Sequence, residues 1–399
     1  MEFSPCKSPT VGVEWELQLL DAQTLDLFDG IIPLMKFFPD TPLVKPEYIQ
    51  SCVELTSGIA ETSDMAVNDI AQTLRQVLPR CRELDMRACG AGTHAFGRRL
   101  ALITPKPRFS RMQKATGHLA HTQITFSTHV HIGMRSGDEA MRAMSMLIPA
   151  LPAFIAISAN SPFWRGYETG HAAYRHRILA AAPNYGLPTA FEAWSDFEKF
   201  YRAALTAGMI RHFKDIHWDI RPHPDFGTIE IRAMDSASDL QSLHALVAFA
   251  RVVTVAMARS APADLGRLMP VELPVWIEKE NCYRAGHLGL DADIIINDSG
   301  DRRPLRGMID ELLSFCDPIA GDIGEGPGLG VVREMLAGRP GYARQLETYR
   351  AAPNPHAVVE DLTRRLQMSM APFDRPHRES GPRLPSKSRH SASRPRTTR

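Results

Sequence analysis

Residues 11–19 read VGVEWELQL, and alternation with a period of two divides them into unlike faces. Val11, Val13, Trp15, Leu17 and Leu19 share one side of an extended chain, and Gly12, Glu14, Glu16 and Gln18 share the other. A strand of this kind must bury its apolar side while carrying two carboxylates on the opposite one. The pattern recurs downstream. Over 124–134, Ile124, Phe126, Val130, Ile132 and Met134 alternate with Thr125, Ser127, His129, His131 and Gly133, so both histidines point the same way. Ile216, Trp218 and Ile220 alternate with His217, Asp219 and Arg221, the run PHPDFG (222–227) is turn chemistry, and Ile229 and Ile231 then alternate with Thr228, Glu230 and Arg232. This last pair predicts a hairpin with a charged face.

Helical spacing appears between the strands. Ile70, Leu74, Val77, Leu78, Cys81 and Leu84 predict a helix capped by Asp64, with Pro79 expected to kink or divide it. Residues 138–158, 195–207 and 239–259 predict further helices, and a Pro-rich stretch over 261–274 precedes a second helical group reaching about residue 367. The expected fold class is α+β: an antiparallel sheet with helices over its outer, apolar face and charge on the inner one. Residues 1–372 are expected to form a single catalytic domain, with the sheet core over about 10–260 and a helical part over about 261–367. Residues 373–399 hold eight of the 46 Lys+Arg but two of the 45 Asp+Glu, and are rich in Arg, Ser and Pro without apolar anchors, so a basic disordered tail is expected.

With that tail set aside, the body is mildly acidic, which argues against direct binding to nucleic acid. The six cysteines show no Cys-x-x-Cys spacing, so neither a disulfide scaffold nor a structural zinc site is supported. Residues 140–158 are interrupted by Arg142, Pro149 and Pro152, and 240–259 contain His244 and Arg251, so no membrane span is expected. Residues 1–10 lack the apolar run of a secretory signal, and the expected location is the cytoplasm.

Carboxylates turned inward on a sheet are costly unless cations neutralise them. Glu14, Glu16, Glu54 (in CVELT), His131 and Glu230 would be satisfied together by divalent ions, and a set of mostly oxygen donors with one imidazole suits Mg²⁺ or Mn²⁺ better than zinc or copper. Taken singly, Glu-x-Glu also describes a solvated strand face, His-x-His a half-exposed strand, and Glu230 with Arg232 a surface ion pair. The metal reading rests on their coincidence, because the polar side of every strand supplies metal- or anion-compatible groups.

Five motifs carry a resemblance: GVEWELQ (12–18), GAGTHAF (90–96), THVHIG (128–133), NSPFW-x-G-x-x-TG (160–170) and HWDIRPHPDFGTIEIR (217–232), followed by RAGHLGLDA (284–292). Together they resemble the type 2 glutamate-cysteine ligase family, also described as carboxylate-amine ligases, in order from about residue 10 to residue 315. The resemblance implies a glutamine synthetase-like antiparallel sheet forming a funnel that binds ATP, metals and an acid substrate. It implies one ion held by Glu14, His131 and Glu230, and another held by Glu16 and Glu54 joined by Glu47. Glu47 and Glu54 are separated by an odd number of residues, so Glu47 reaches the same face only if a strand starts after it or is bulged. Arg232 would contact the moving phosphoryl group. Arg221 and Arg175 would hold the substrate carboxylate, against structural pairing of Arg221 with Asp219 or Asp225 and a buried pair for Arg175. Thr93 and His94 would contact nucleotide phosphate, against a plain tight turn. His129 is assigned a supporting role. The chain departs from the usual pattern at Thr128, Ala173, Cys282 and Tyr283, which bears on the substrate pocket.

The implied reaction is ATP-dependent amide formation through an acyl phosphate. The partners are a carboxylic acid, glutamate in the family's best-known case, and an amine, cysteine, with homo-oligomer formation left open. No G-x-x-x-x-G-K-[ST] loop occurs, so ATP would bind by a sheet-and-metal route. The rival readings are a metal-dependent hydrolase using His129 and His131, and a noncatalytic nucleotide-binding relative.

Overall fold

The structure is a computed structural model that describes residues 1–182 and 184–371. The expected disorder of 373–399 lies outside the described residues.

Seven strands form one sheet in which every pairing is antiparallel: β1 (Val11–Asp21), β2 (Val44–Pro46), β3 (Cys52–Thr56), β4 (Met86–Cys89), β5 (Ser127–Gly133), β6 (Ile220–His223) and β7 (Thr228–Asp235). The path runs β6-β7-β5-β1-β3-β2. The long β1 is its centre: one edge pairs β3, and the other pairs β5 through residues 11–15 and β4 through residues 18–21. Alternation is realised as expected, with Val11, Val13, Trp15, Leu17 and Leu19 entering the main hydrophobic core and the 216–232 hairpin formed by β6 and β7.

Helices cover the apolar side. They include α1 (Ser63–Glu83), α2 (Gly137–Leu147), α3 (Leu151–Ser158) and α4 (Leu240–Arg259). The cap of α1 is Thr62, whose Oγ1 accepts from Met65 N at 3.3 Å, and Asp64 lies in the first turn instead. Pro79 neither divides nor ends α1. Its missing N–H costs one ladder bond near the C-terminus, and burial of Val77, Leu78 and Cys81 holds the last turn in place. The 137–158 run bends through a 3₁₀ turn at Ile148–Ala150, where Pro149 and Pro152 remove donors. By length and hydropathy, Gly137–Ser158 and Leu240–Arg259 could each cross a membrane, but 83% of the apolar window of each is buried inside this fold, and both act as core helices.

The later helices α5 (Val275–Leu288), α6 (Leu305–Asp322) and α7 (Gly326–Ala337) pack on α3 and α4, so the sheet and this helical part share one core. A buried bridge locks them together. Glu325 pairs with Arg251 of α4 at 2.5 Å and also accepts hydrogen bonds from Ser63 N and Oγ at the start of α1.

Candidate active site

Residues directly opposite in antiparallel strands share a face. The register therefore decides what the inner side of the sheet carries: Glu14 lies opposite His129, Gly12 opposite His131, Glu16 opposite Glu54, Lys45 opposite Glu54, Glu230 opposite His131, and Arg221 opposite Glu230. Side chains remote in sequence are thus set in one row across six strands.

At one end of the row, donor atoms of Glu14, His131 and Glu230 lie within 4.8 Å of one another, the arrangement needed to hold a metal ion. His131 Nε2 is 3.9 Å from both Glu14 Oε2 and Glu230 Oε1. It is buried without a hydrogen-bond partner, while Nδ1 meets Thr228 Oγ1 at 3.1 Å. A buried ring nitrogen left unsatisfied between two carboxylates fits a divalent ion, which would complete its coordination. Burial pushes the Glu230 pKa up, but the adjacent Arg221 and Arg232 outweigh it and hold this carboxyl well below the usual range. Glu14 is likewise held well below that range, its burial offset by the hydrogen bond with His129 and by the nearby His131 imidazole.

The other end behaves differently. Burial, followed by the charge of Glu47, raises Glu16 from 4.5 to about 7. Glu54 is pushed well above the ordinary value by burial, then by Glu14 and Glu47. Glu47 follows the last residue of β2 rather than sharing β3 with Glu54, so strand parity does not exclude it, and its charge acts on both Glu16 and Glu54. These carboxyls need either protons or a cation. Lys45, for which residue spacing gave no hint, supplies part of the charge: Nζ is 3.1 Å from Glu54 Oε1 and 3.6 Å from Glu14 Oε1. The only sequence signal would have been the β2–β3 pairing itself.

Ser127 was also missed. It donates N–H to Glu16 Oε2 at 2.6 Å, and its hydroxyl lies 2.8 Å from Glu16 Oε2 and 2.7 Å from His129 Nε2. His129 in turn meets Glu14 through Nδ1 at 3.3 Å, so both its ring nitrogens are engaged. Burial, then the charge of Arg232, lowers its pKa to about 4.

Four of the expected contacts differ. Arg221 pairs with neither Asp219 nor Asp225. Its Nε and Nη2 donate to Glu230 at 2.6 and 3.3 Å, and its Nη1 donates to Ile216 O at 2.6 Å, which leaves no fork for a substrate carboxylate. Arg175 is 4% exposed and donates to the carbonyls of Arg232 and Ala233 at 3.2 and 3.3 Å. It thereby pins the register shift in β7 between Ile231 and Met234, the irregularity next to Arg232. Thr93 Oγ1 donates to Phe163 O, and His94 bonds Leu25 O through Nε2 while accepting Gly97 N–H at Nδ1. These two side chains are therefore committed to backbone groups of the Leu25, Gly97 and Phe163 segments. The glycines beside them serve packing, since a Cβ on Gly90 would lie 1.8 Å from Ala237 O and one on Gly92 2.5 Å from Asp235. Arg232 stays at the site, with Nη1 paired to Glu230 Oε1.

The profile of glutamate-cysteine ligase family 2 matches residues 10–364. A Trichormus variabilis protein provisionally named glutamate–cysteine ligase 2 is 36% identical over 93% of this chain and 96% of its own length. A Mycolicibacterium smegmatis protein provisionally named glutamate–cysteine ligase 2-1 is 35% identical over 86% and 91%. Among solved structures, the glutamate–cysteine ligase of Francisella tularensis in complex with AMP superposes with a TM-score of 0.65 at 12% identity, covering 94% of this chain and 90% of that one. A bifunctional glutathione synthetase from Pasteurella multocida gives 0.60 at 12% identity, over 92% of this chain and 53% of that one. At such identity these structures speak for the fold, while the profile and the sequence relatives span nearly the whole chain. The chain belongs to glutamate-cysteine ligase family 2.

Proposed function

We propose that this ATP-dependent ligase joins the side-chain carboxylate of glutamate to the amine of cysteine through an acyl phosphate, releasing ADP and phosphate. The observation that carries the reading is the convergence of Glu14, His131 and Glu230 on one face of the sheet, with Arg232 anchored on Glu230. Family membership supports the substrates.

Glu14, His131 and Glu230 would hold one divalent ion, and Glu16, Glu47 and Glu54 another. Bound there, Mg²⁺ or Mn²⁺ would neutralise the phosphate oxygens of ATP and the buried carboxylates alike. The chain's own residues do the rest. Arg221 clamps Glu230 from the neighbouring strand and fixes the direction of its oxygens. Arg232 presents a permanently charged guanidinium where negative charge spreads over a transferring phosphoryl group. Arg175 holds the backbone that aims Arg232. Converting a carboxylate to an acyl phosphate supplies the leaving group that amide formation in water lacks, and the amine then displaces phosphate. This route needs no Ser or Cys nucleophile. A hydrolase built on His129 and His131 is disfavoured, because both ring nitrogens of His129 are already bonded to Ser127 and Glu14.

The test uses glutamate labelled with heavy oxygen in the reacting carboxylate. Its oxygen should appear in inorganic phosphate, with ADP as co-product and release dependent on the amine. Unlabelled phosphate during demonstrated amide formation would refute the acyl phosphate, and AMP with pyrophosphate would indicate adenylation.

A further inference from the structure

We infer that Arg108, seated on the Lys214 carbonyl, forms a subsite that receives the non-reacting carboxylate of the acid substrate. This rests on the ligase reading above and assigns residues that neither the motifs nor the metal cluster account for.

Arg108 enters near the start of the helix Pro107–Thr116. The flanking residues are tied to the far edge of the sheet: Thr104 N donates to Tyr48 O at 2.9 Å, Lys106 Nζ to Pro46 O at 3.3 Å, and the rings of Tyr48 and Phe109 pack edge-to-face at 5.5 Å. From there Arg108 reaches the opposite edge, where its Nη2 donates to Lys214 O at 2.9 Å. Arg221 Nη1 approaches the same carbonyl at 3.5 Å, so one backbone oxygen joins the guanidinium of Arg108 to the one that clamps Glu230. Arg108 thus spans the mouth of the carboxylate face.

Its remaining donors are unused. Arg108 Nε is buried without a partner, and among the described residues no carboxylate pairs with Arg108 or Lys214, although Arg221, Arg232 and Lys45 all have one. A guanidinium held at this mouth with no carboxylate partner is a preformed anion contact. The Lys214 side chain shares this environment: burial, then the charge of Arg108, lowers its pKa, while Glu14 acts in the opposite sense. Tyr185 lies flat on His217, centroids 4.6 Å apart and planes 11° from parallel, and the charge of Arg108 reaches both rings.

A carboxylate fits better than a nucleotide phosphate. Phosphates belong with the carboxylate-rich face, where divalent ions would offset both sets of negative charge. The second carboxylate of an amino-acid substrate brings no ion with it and needs side-chain cations. Arg108 offers it a planar fork.

The experiment measures steady-state kinetics with glutamate and with its α-amide. Arg108→Gln should raise the glutamate KM roughly 10- to 100-fold, as expected for loss of a charge-assisted bond. The KM for ATP and the melting temperature should stay near wild type. Arg108→Lys should recover part of the loss. The wild type should discriminate strongly against the α-amide, and Arg108→Gln should discriminate little. Normal wild-type turnover with an unchanged glutamate KM in Arg108→Gln would overturn the subsite alone, as would a change confined to the KM for ATP. Absence of glutamate turnover in the wild type would overturn the substrate reading and the subsite with it.

Discussion

Lys45 and Glu54 face each other across the β2–β3 pair, with Nζ 3.1 Å from Oε1, and the same ammonium reaches Glu14 at 3.6 Å. An internal cation therefore stands between the two carboxylate groups that metal ions would share. Lys45→Met removes it, so the metal-free variant should melt a few degrees below wild type, on the scale of roughly 1–2 kcal/mol for a domain of this size. Added Mg²⁺ should raise its melting temperature more than it raises that of the wild type. Equal shifts in calorimetry would show that Lys45 does not compete with metal for these oxygens.

Glu14 and Glu230 differ as targets, although both carboxylates meet His131. Glu14→Gln should leave the fold intact and abolish metal-dependent ATP turnover, since the amide keeps the shape and loses the charge. Glu230 is 0% exposed and neutralises two arginines, so Glu230→Gln should also cost on the order of 3–5 kcal/mol of stability. Urea unfolding of both variants beside an ADP-release assay separates the effects. Near-normal turnover of Glu14→Gln at limiting Mg²⁺ would remove it from the ligand set.

The Glu16 carboxyl sits at about 7 in the folded protein against an ordinary 4.5. A raised carboxyl pKa means that the folded chain keeps a proton that the unfolded chain has released within that window. Stability should therefore fall as pH rises from 4.5 to about 7 and stay low above it, by roughly 3 kcal/mol from this group. Melting curves of metal-free protein between about pH 5 and about pH 8 should show the fall, and Glu16→Gln should flatten it. A slope unchanged in Glu16→Gln would place the titration elsewhere.

Arg251 and Glu325, both under 4% exposed, join α4 to the start of α7. Arg251→Met leaves a carboxylate buried against Ser63 without its counter-charge and should cost about 3–5 kcal/mol. Substrate KM values measured below the melting transition should not move. A KM change without loss of stability would mean that this bridge communicates with the site.

Period-two alternation alone determined β1, β5, β6 and β7 but not β2, β3 or β4, and it set their apolar and polar faces and put Glu14, Glu16, His131 and Glu230 on the polar ones, because side-chain direction in a strand depends only on residue parity. Local pattern likewise placed the helices, within the limits seen at Thr62 and Pro79. Pairing was beyond its reach. That Lys45 would stand opposite Glu54, that Arg221 would be committed to Glu230, and that Thr93 and His94 would be tied to Phe163 and Leu25 all depend on register and on contacts between distant parts of the chain. Only the tertiary structure decided which cations were already paired and which, like Arg108, remained open, because charge pairing is set by distance in space and spacing along the chain carries no record of it.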